Sequence, residues 1–298
     1  PRSSASVRFS GAAESAMSTF RVLQFNMQFG QMWDDAYPDR APINLGATIA
    51  EIRRHNADII MLQEVEHALP NGVQAQPPPH YARLREELPG YHGWFAYPKP
   101  DPRELPFGIG LAIFSRTPLT DCMRRDVPSP PVEFDFFGKK TTPTDRVLIG
   151  AKTTVLGREV QLYNTHLLAF FMLGSSSSTH PFQRNLVADQ LVAAPGPTIL
   201  TGDFNVSHHN SLIKQFAGCG FTTVQRNAAT WRRRPYVLDH IFFNPPLHCT
   251  AYSVQPTPAS DHHTLVADFD FARPPGWSPE AESKAPKRDW ARRATDRV

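Results

Sequence analysis

The sequence predicts a mixed α/β domain, and three observations carry that expectation. Short, continuous apolar runs at residues 58–62, 108–115 and 198–200 read as strands buried on both faces. Elsewhere apolar residues recur at helical spacing, as Leu45, Ile49 and Ile52 do at i, i+4 and i+7. The 29 prolines gather in the connections, which argues for a loop-rich, β-containing fold rather than a helical bundle.

The elements follow in order. FRVLQFN at 20–26 reads as a strand, then comes a polar loop with Pro38 and Pro42, then a helix over roughly 44–55. The run at 58–64 is a second strand that ends in Gln63 and Glu64. A Pro-rich loop at 70–80 leads to a helix over 81–88, and GIGLAIFS at 108–115 is a strand closed by Arg116, Thr117 and Pro118. The segment 126–145 carries Pro128, Pro130 and Pro131, then Phe134, Phe136 and Phe137, then Lys139 and Lys140. Strands follow at about 146–155 and 159–165, joined by a turn at Gly157, and the second runs into Asn164, Thr165 and His166. An apolar stretch at 167–173 leads into four serines, Ser175 to Ser178, and a helix over 182–194 is marked by Phe182, Leu186, Val187 and Leu191. The strand at 198–200 stops at Gly202, which leaves room for a tight exit or a close ligand. Asp203 and Asn205 follow, and period two lets both leave on the same side. A helix near 210–217 and strands at 237–243 and 264–271 complete the order, with Ser260, Asp261, His262 and His263 between the last two.

Composition narrows the function classes only a little. A net charge of +3 with 20% charged residues argues neither for nor against nucleic acid or membrane surfaces. Cys122, Cys219 and Cys249 are far apart with no CxxC spacing, so they suggest no zinc site and no disulfide framework and read as buried or idle thiols. No apolar run approaches the ~18 residues of a membrane span. The residues before Met17 lack the apolar stretch of a secretory signal. They read as a disordered, vector-derived or upstream-translated leader over 1–16. A single domain is expected over 17–272, followed by a Pro-rich basic tail over 273–298, with a cytoplasmic location and a monomeric state.

One design repeats along the chain. Apolar segments end in, or are followed by, short polar clusters: Asn26, Gln63 with Glu64, His166, Asp203 with Asn205, and Asp261 with His262. Asp239 sits inside a further apolar segment. Strands that share sheets can bring such ends to one pocket. The inventory of carboxylates, carboxamides and imidazoles suits a hard divalent cation, because Mg²⁺ takes oxygen ligands and keeps several waters. It lacks the three-His or Cys-rich set of catalytic zinc. The imidazoles can move protons.

The chain resembles the endonuclease/exonuclease/phosphatase superfamily, the DNase I-like fold. The matching stretches are FN at 25–26, LQE at 62–64, FGIGLAIFSRTPL at 107–119, NTHL at 164–167, TGDFN at 201–205, LDHIF at 238–242 and SDHH at 260–263. They occur in the family's order over about residues 20–271. Each is weak alone; together they are specific. The resemblance implies a four-layered α/β sandwich, with two central mixed β-sheets flanked by helices. It also implies roles. Glu64 would be the main Mg²⁺ ligand, with Asn26 beside it and Asp261 as a further metal-side carboxylate. Asp203 and Asn205 would orient the nucleophilic water and the scissile phosphate. Asp239 would orient His262, and His166 would face the phosphate or the leaving oxygen. Some members carry Asp two residues after the first Asn; here Gln28 stands there, so a second metal site near Asn26 lacks its acid.

The reaction implied is Mg²⁺-dependent phosphodiester hydrolysis, with Mn²⁺ as a substitute and no organic cofactor. The expected substrate is nucleic acid, DNA first. The alternative is a membrane lipid, as for neutral sphingomyelinases of this superfamily, if the aromatic stretches 134–137 and 170–173 form an apolar rim rather than core. His240 and His263 read as structural or as supports behind the site residues. Arg146, on the strand beside His166, could reach the phosphate but reads first as a surface residue, and Tyr163 stands in the wrong phase to share the site with His166.

Overall fold

Two six-stranded sheets face each other at the centre of the protein. The first runs in the order β15 (Leu247–Gln255), β16 (Thr264–Phe271), β1 (Phe20–Asn26), β2 (Ile59–Gln63), β6 (Leu111–Ser115), β4 (His92–Ala96). The second runs β13 (Thr222–Thr223), β14 (Asp239–Phe243), β12 (Thr198–Asp203), β11 (Arg158–His166), β10 (Arg146–Val155), β7 (Thr120–Val127). Two small pairs sit in the connections: β3 (Glu66–His67) with β5 (Gly108–Ile109), and β8 (Phe134–Phe136) with β9 (Lys139–Thr141). Each large sheet is mixed, since β1/β2 and β11/β12 are parallel and their neighbours antiparallel. This computed structural model describes residues 19–103, 108–136 and 138–271. The expected leader and tail, Met17, Phe107 and Phe137 lie outside the described residues.

Alternation along the strands explains the layers. In β1, Val22 faces inward while Leu23 and Phe25 face outward. Val22, Met61 and Ile113 from one sheet share a core with Leu162, Ile199 and Ile241 from the other. On the outer face, Leu23, Phe25 and Leu62 pack under α1 (Leu45–Arg54) and α2 (Pro79–Glu87) through Ile49, Ile52 and Leu84. Across the molecule, Leu200 and Phe242 pack under α3 (Phe182–Val192) and α4 (His209–Ala217) through Val187, Leu191 and Phe216. Helix, sheet, sheet and helix therefore make the four-layered sandwich that the resemblance implied. Each fully buried Leu, Ile or Phe contributes about 1.5–3 kcal/mol. α1 is also capped: the Asn44 side chain accepts the Ala47 N–H at 3.1 Å.

The helices and inner strands lie close to the expected positions, with small shifts. α2 starts at Pro79, whose fixed φ suits a first turn. The strand expected at 108–115 breaks at Gly110, where φ is +78°. Asp239 is the first residue of β14 rather than an interior one, which sets it at the sheet's end. Cys122 is exposed rather than buried. Among the described residues no helix is long and apolar enough to cross a membrane.

Gly202 owes its place to backbone, not to a ligand. It pairs with Thr165 in the parallel β11/β12 ladder, and a Cβ there would sit 2.4 Å from the Thr165 carbonyl oxygen. That close approach sets His166 and Asp203 side by side in the next rung. Gly202→Ala should therefore lower unfolding stability by about 1–3 kcal/mol or more in urea titrations. Gly196→Ala, with nothing within 4 Å of its Cβ, should stay within about 0.5 kcal/mol of the parent.

Candidate active site

The mouth of the sandwich lies where the parallel strands β1, β2, β11 and β12 end and β14 begins. Inward positions follow period two, so the Val22 side yields Gln24 and then Asn26, and Leu162 yields Asn164 and then His166. Ile199 likewise yields Thr201 and then Asp203, and Ile241 leads back to Asp239. Asp203 and Asp239 are directly paired across β12 and β14. The segment after β15 brings in Ser260, Asp261 and His262. Ser260 Oγ donates to the Asn26 carbonyl at 2.8 Å, tying that segment to the end of β1.

All eight side chains expected at the site converge here. His262 Nδ1 donates to Asp239 Oδ2 at 2.8 Å, and its Nε2 lies 3.6 Å from Asp203 Oδ2. Asn26 Nδ2 donates to both Glu64 Oε1 and Asp203 Oδ2 at 3.1 Å, clamping two acids with one amide. The direction of that amide follows from its other end, because Asn26 Oδ1 accepts the Gln28 N–H at 3.1 Å. Asn205 Nδ2 donates to the Leu167 carbonyl and to His166 Nε2, each at 3.0 Å, and the Asn205 N–H reaches Asp203 Oδ1 at 3.0 Å. His166 Nε2 is thus an acceptor, which makes the ring neutral with its proton on Nδ1. Glu64 and Asn205 both take positive φ, 49° and 51°, an unusual backbone for non-glycine residues and one that clusters at functional sites.

Electrostatics separate the two imidazoles. Burial, then the Arg146 charge, holds His166 well below the ordinary histidine range. Burial also opposes charge on His262, but Asp239 and then Asp203 overcome it and hold its pKa well above that range. Burial raises Glu64 to about 7, helped by the Asp261 charge and opposed by the Asn26 hydrogen bond. Asp203 is raised too, chiefly by burial. A neutral imidazole, a charged imidazole and two reluctant acids meet at one mouth, the environment in which proton transfer and anion binding are feasible.

Two sets of donors can be considered for a metal. Ligating atoms of Asp203, Asp239 and His262 lie within 4.8 Å of one another. Asp239, however, already uses Oδ2 for His262 and Oδ1 for Gln24 Nε2, which donates at 3.1 Å. The Glu64 and Asp261 carboxylates offer hard oxygens nearer the surface, with the Glu64 side chain 17% exposed, and they fit a cation such as Mg²⁺; Asn26, expected beside them, turns its Nδ2 toward Glu64 and would add an oxygen only with its amide reversed. Gln28 is not an acid, and its Oε1 accepts the Asp261 N–H at 3.2 Å.

Some residues at the site were not anticipated. Asp261 Oδ2 accepts Trp231 Nε1 at 3.1 Å and Arg233 Nε at 3.0 Å, and Arg233 also binds Asp39. Both come from a loop without periodicity, so no sequence signal marked them. Arg146 is half-buried rather than a surface residue, and its Nε is buried without a hydrogen-bond partner. Tyr163 lies in the outer core and its hydroxyl accepts Gln190 Nε2, in line with its phase. His240 is fully buried against Thr223. Phe170 is buried and Phe171 packs on Trp231 and Tyr236, while Met172 is 62% exposed. Phe134 and Phe136 are half-buried.

A four-layered sandwich with acids and imidazoles at one mouth is the DNase I-like class. The model of the Endonuclease/Exonuclease/phosphatase family matches residues 23–262. The chain belongs to that family, whose members hydrolyse phosphoester bonds. No curated protein matches the sequence closely enough to count. Similar solved structures include an endonuclease/exonuclease/phosphatase from Beutenbergia cavernae, 23% identical, with 85% of this chain and 72% of that one covered and a TM-score of 0.64. The human Nocturnin catalytic domain with bound sulfate is 22% identical over 85% of this chain and 95% of that one, with a TM-score of 0.56. A mannosyl-6-phosphatase from Bacteroides thetaiotaomicron is 17% identical over 85% and 100%, with a TM-score of 0.59. At these identities the likeness is one of fold.

The metal-free protein should lose stability as pH rises. Glu64 is held at about 7 instead of 4.5, so the native state favours its protonated form and loses that advantage between those values. His262 acts in the same direction, because its raised pKa stabilises the fold below the ordinary histidine value and that contribution fades as pH climbs through the folded value. In chelator, Glu64→Gln should raise stability near pH 8 by roughly 1–3 kcal/mol and flatten the pH dependence. Denaturant midpoints measured from about pH 5 to 8 check this.

Proposed function

We propose that the protein is a Mg²⁺-dependent phosphodiester hydrolase acting on nucleic acid, with DNA as the first substrate. The observation that carries the reading is the Asp239–His262–Asp203 chain beside Glu64, Asn26 and Asp261 at one mouth. Glu64 and Asp261 would hold the cation, with Asn26 adding its oxygen if the amide reverses, and the cation would supply charge stabilisation for the phosphoryl oxygens. The remaining residues account for the rest of the reaction. Asp203, an acid whose pKa burial has raised, takes the proton of the attacking water. Asn205 holds Asp203 and His166 in register through its N–H groups. His262, charged and fixed by Asp239, donates Nε2–H to a phosphate oxygen as negative charge builds there. As the water oxygen bonds to phosphorus, the bond to the leaving oxygen breaks, and the alkoxide released takes a proton from solvent.

A second reading keeps the chemistry and changes the substrate to a lipid phosphodiester. Exposed Met172, just after His166 in the chain, favours it, whereas Phe170 is buried and Phe171 is packed on Trp231 and Tyr236, which counts against the apolar rim it needs. One experiment separates the readings. Purified protein is assayed on plasmid DNA, RNA, sphingomyelin vesicles and p-nitrophenyl phosphate, with Mg²⁺, Mn²⁺ or chelator. Plasmid nicking that needs the cation, and a fall of more than about 10²-fold in His262→Ala, is the expected result. Turnover of sphingomyelin alone would transfer the assignment to the lipid reading, and turnover of the monoester alone would remove both.

A further inference from the structure

A layer of carboxamides lies one residue pair below the reactive side chains, and nothing in the reaction above uses it. Its directions can be read from its anchors. Asn164 Nδ2 donates to the backbone carbonyls of Leu62 at 2.9 Å and Ala112 at 3.1 Å, which identifies its other end as the oxygen. That oxygen accepts Gln63 Nε2 at 2.6 Å. Gln63 Nε2 also donates to Gln24 Oε1 at 2.8 Å, and Gln24 Nε2 donates back to Gln63 Oε1. One Gln24 N–H remains, and it meets Asp239 Oδ1 at 3.1 Å. Gln24, Gln63, Asn164 and Asp239 are all fully buried. Each amide can therefore take only one orientation, set from the backbone of β2 and β6.

We propose that Gln24 is a positioning residue for His262, acting through Asp239. The inference rests on the function proposed above. Asp239 has two oxygens: His262 holds one and Gln24 the other, while Thr230 Oγ1 accepts the Asp239 N–H at 3.0 Å. With Oδ1 unpaired in a dry interior, the carboxylate would turn about its χ2 to recover a partner. The imidazole would turn with it, and Nε2 would leave its line to the phosphate. Gln24 fixes the plane of the carboxylate and so the aim of the ring.

The test is a double-mutant cycle of Gln24→Met and Asp239→Asn, read on whichever phosphoester the parent hydrolyses. Gln24→Met should lower kcat about 10–100-fold, the range seen when an outer hydrogen-bond partner is removed, with KM within about twofold. Mn²⁺ affinity, measured calorimetrically without substrate, should be unchanged. In the Asp239→Asn background, Gln24→Met should cost nothing further. The downfield Nδ1–H resonance of His262 should shift in Gln24→Met. Additive losses in the cycle, or an unmoved His262 resonance in a folded variant, would overturn the proposal. Gln24→Thr, which leaves a void rather than extra bulk, replaces Gln24→Met if the latter does not fold. If the parent hydrolyses no ester, the function reading fails, and the His262 resonance still decides the role of Gln24.

Discussion

Neighbouring side chains on a strand point to opposite faces, and the whole mouth depends on that steric rule. Two sheets laid face to face turn it into a vertical order. Inward positions read upward as an apolar floor of Val22, Met61, Leu162, Ile199 and Ile241. Above it come the amides and hydroxyl of Gln24, Gln63, Asn164 and Thr201, then Asn26, His166, Asp203 and Asp239. A slip of one residue in any of these strands would send its whole series into the helix layer. The apolar floor is therefore what holds the chemistry in register.

The mouth is also where the fold tolerates conflict. Asp203 is a buried acid and Glu64 a partly buried one, the interior resists the charged form of each, and Glu64 feels Asp261 as well. Charged His262 and the Arg233–Asp261 ion pair offset part of that strain. Positive φ at Glu64 and Asn205 adds a backbone cost at the same place. Such sites are less stable than an apolar interior would be, a common trade between stability and activity. The core between and outside the sheets supplies the surplus.

Much of this was legible in the sequence, for physical reasons. Strands buried on both faces, such as β2 and β12, write themselves as unbroken apolar runs. The edge strands β4, β7 and β15 do not. β7 reads TDCMRRDV, is mostly exposed, and takes its conformation from pairing with β10 rather than from its own pattern. At the site, polar residues at strand ends and their resemblance to family motifs brought out the residues now seen together. Trp231 and Arg233 stayed hidden because a loop has no period. Gln24 looked like an ordinary polar position in β1, and only the second sheet shows that a carboxylate lies within its reach. Arg146 passed for a surface residue because a strand's first position gives no hint of what folds over it.

The side chains at the mouth are spread along the chain from Asn26 to His262, and no local segment holds more than a fragment of the set. The first and last of them meet only when β16 has joined β1, a contact between nearly opposite ends of the domain. Loop-closure entropy makes a contact of that range costly and slow to form. Until that closure the set stays divided between distant segments, and the geometry of the mouth exists only once the two chain ends share a sheet.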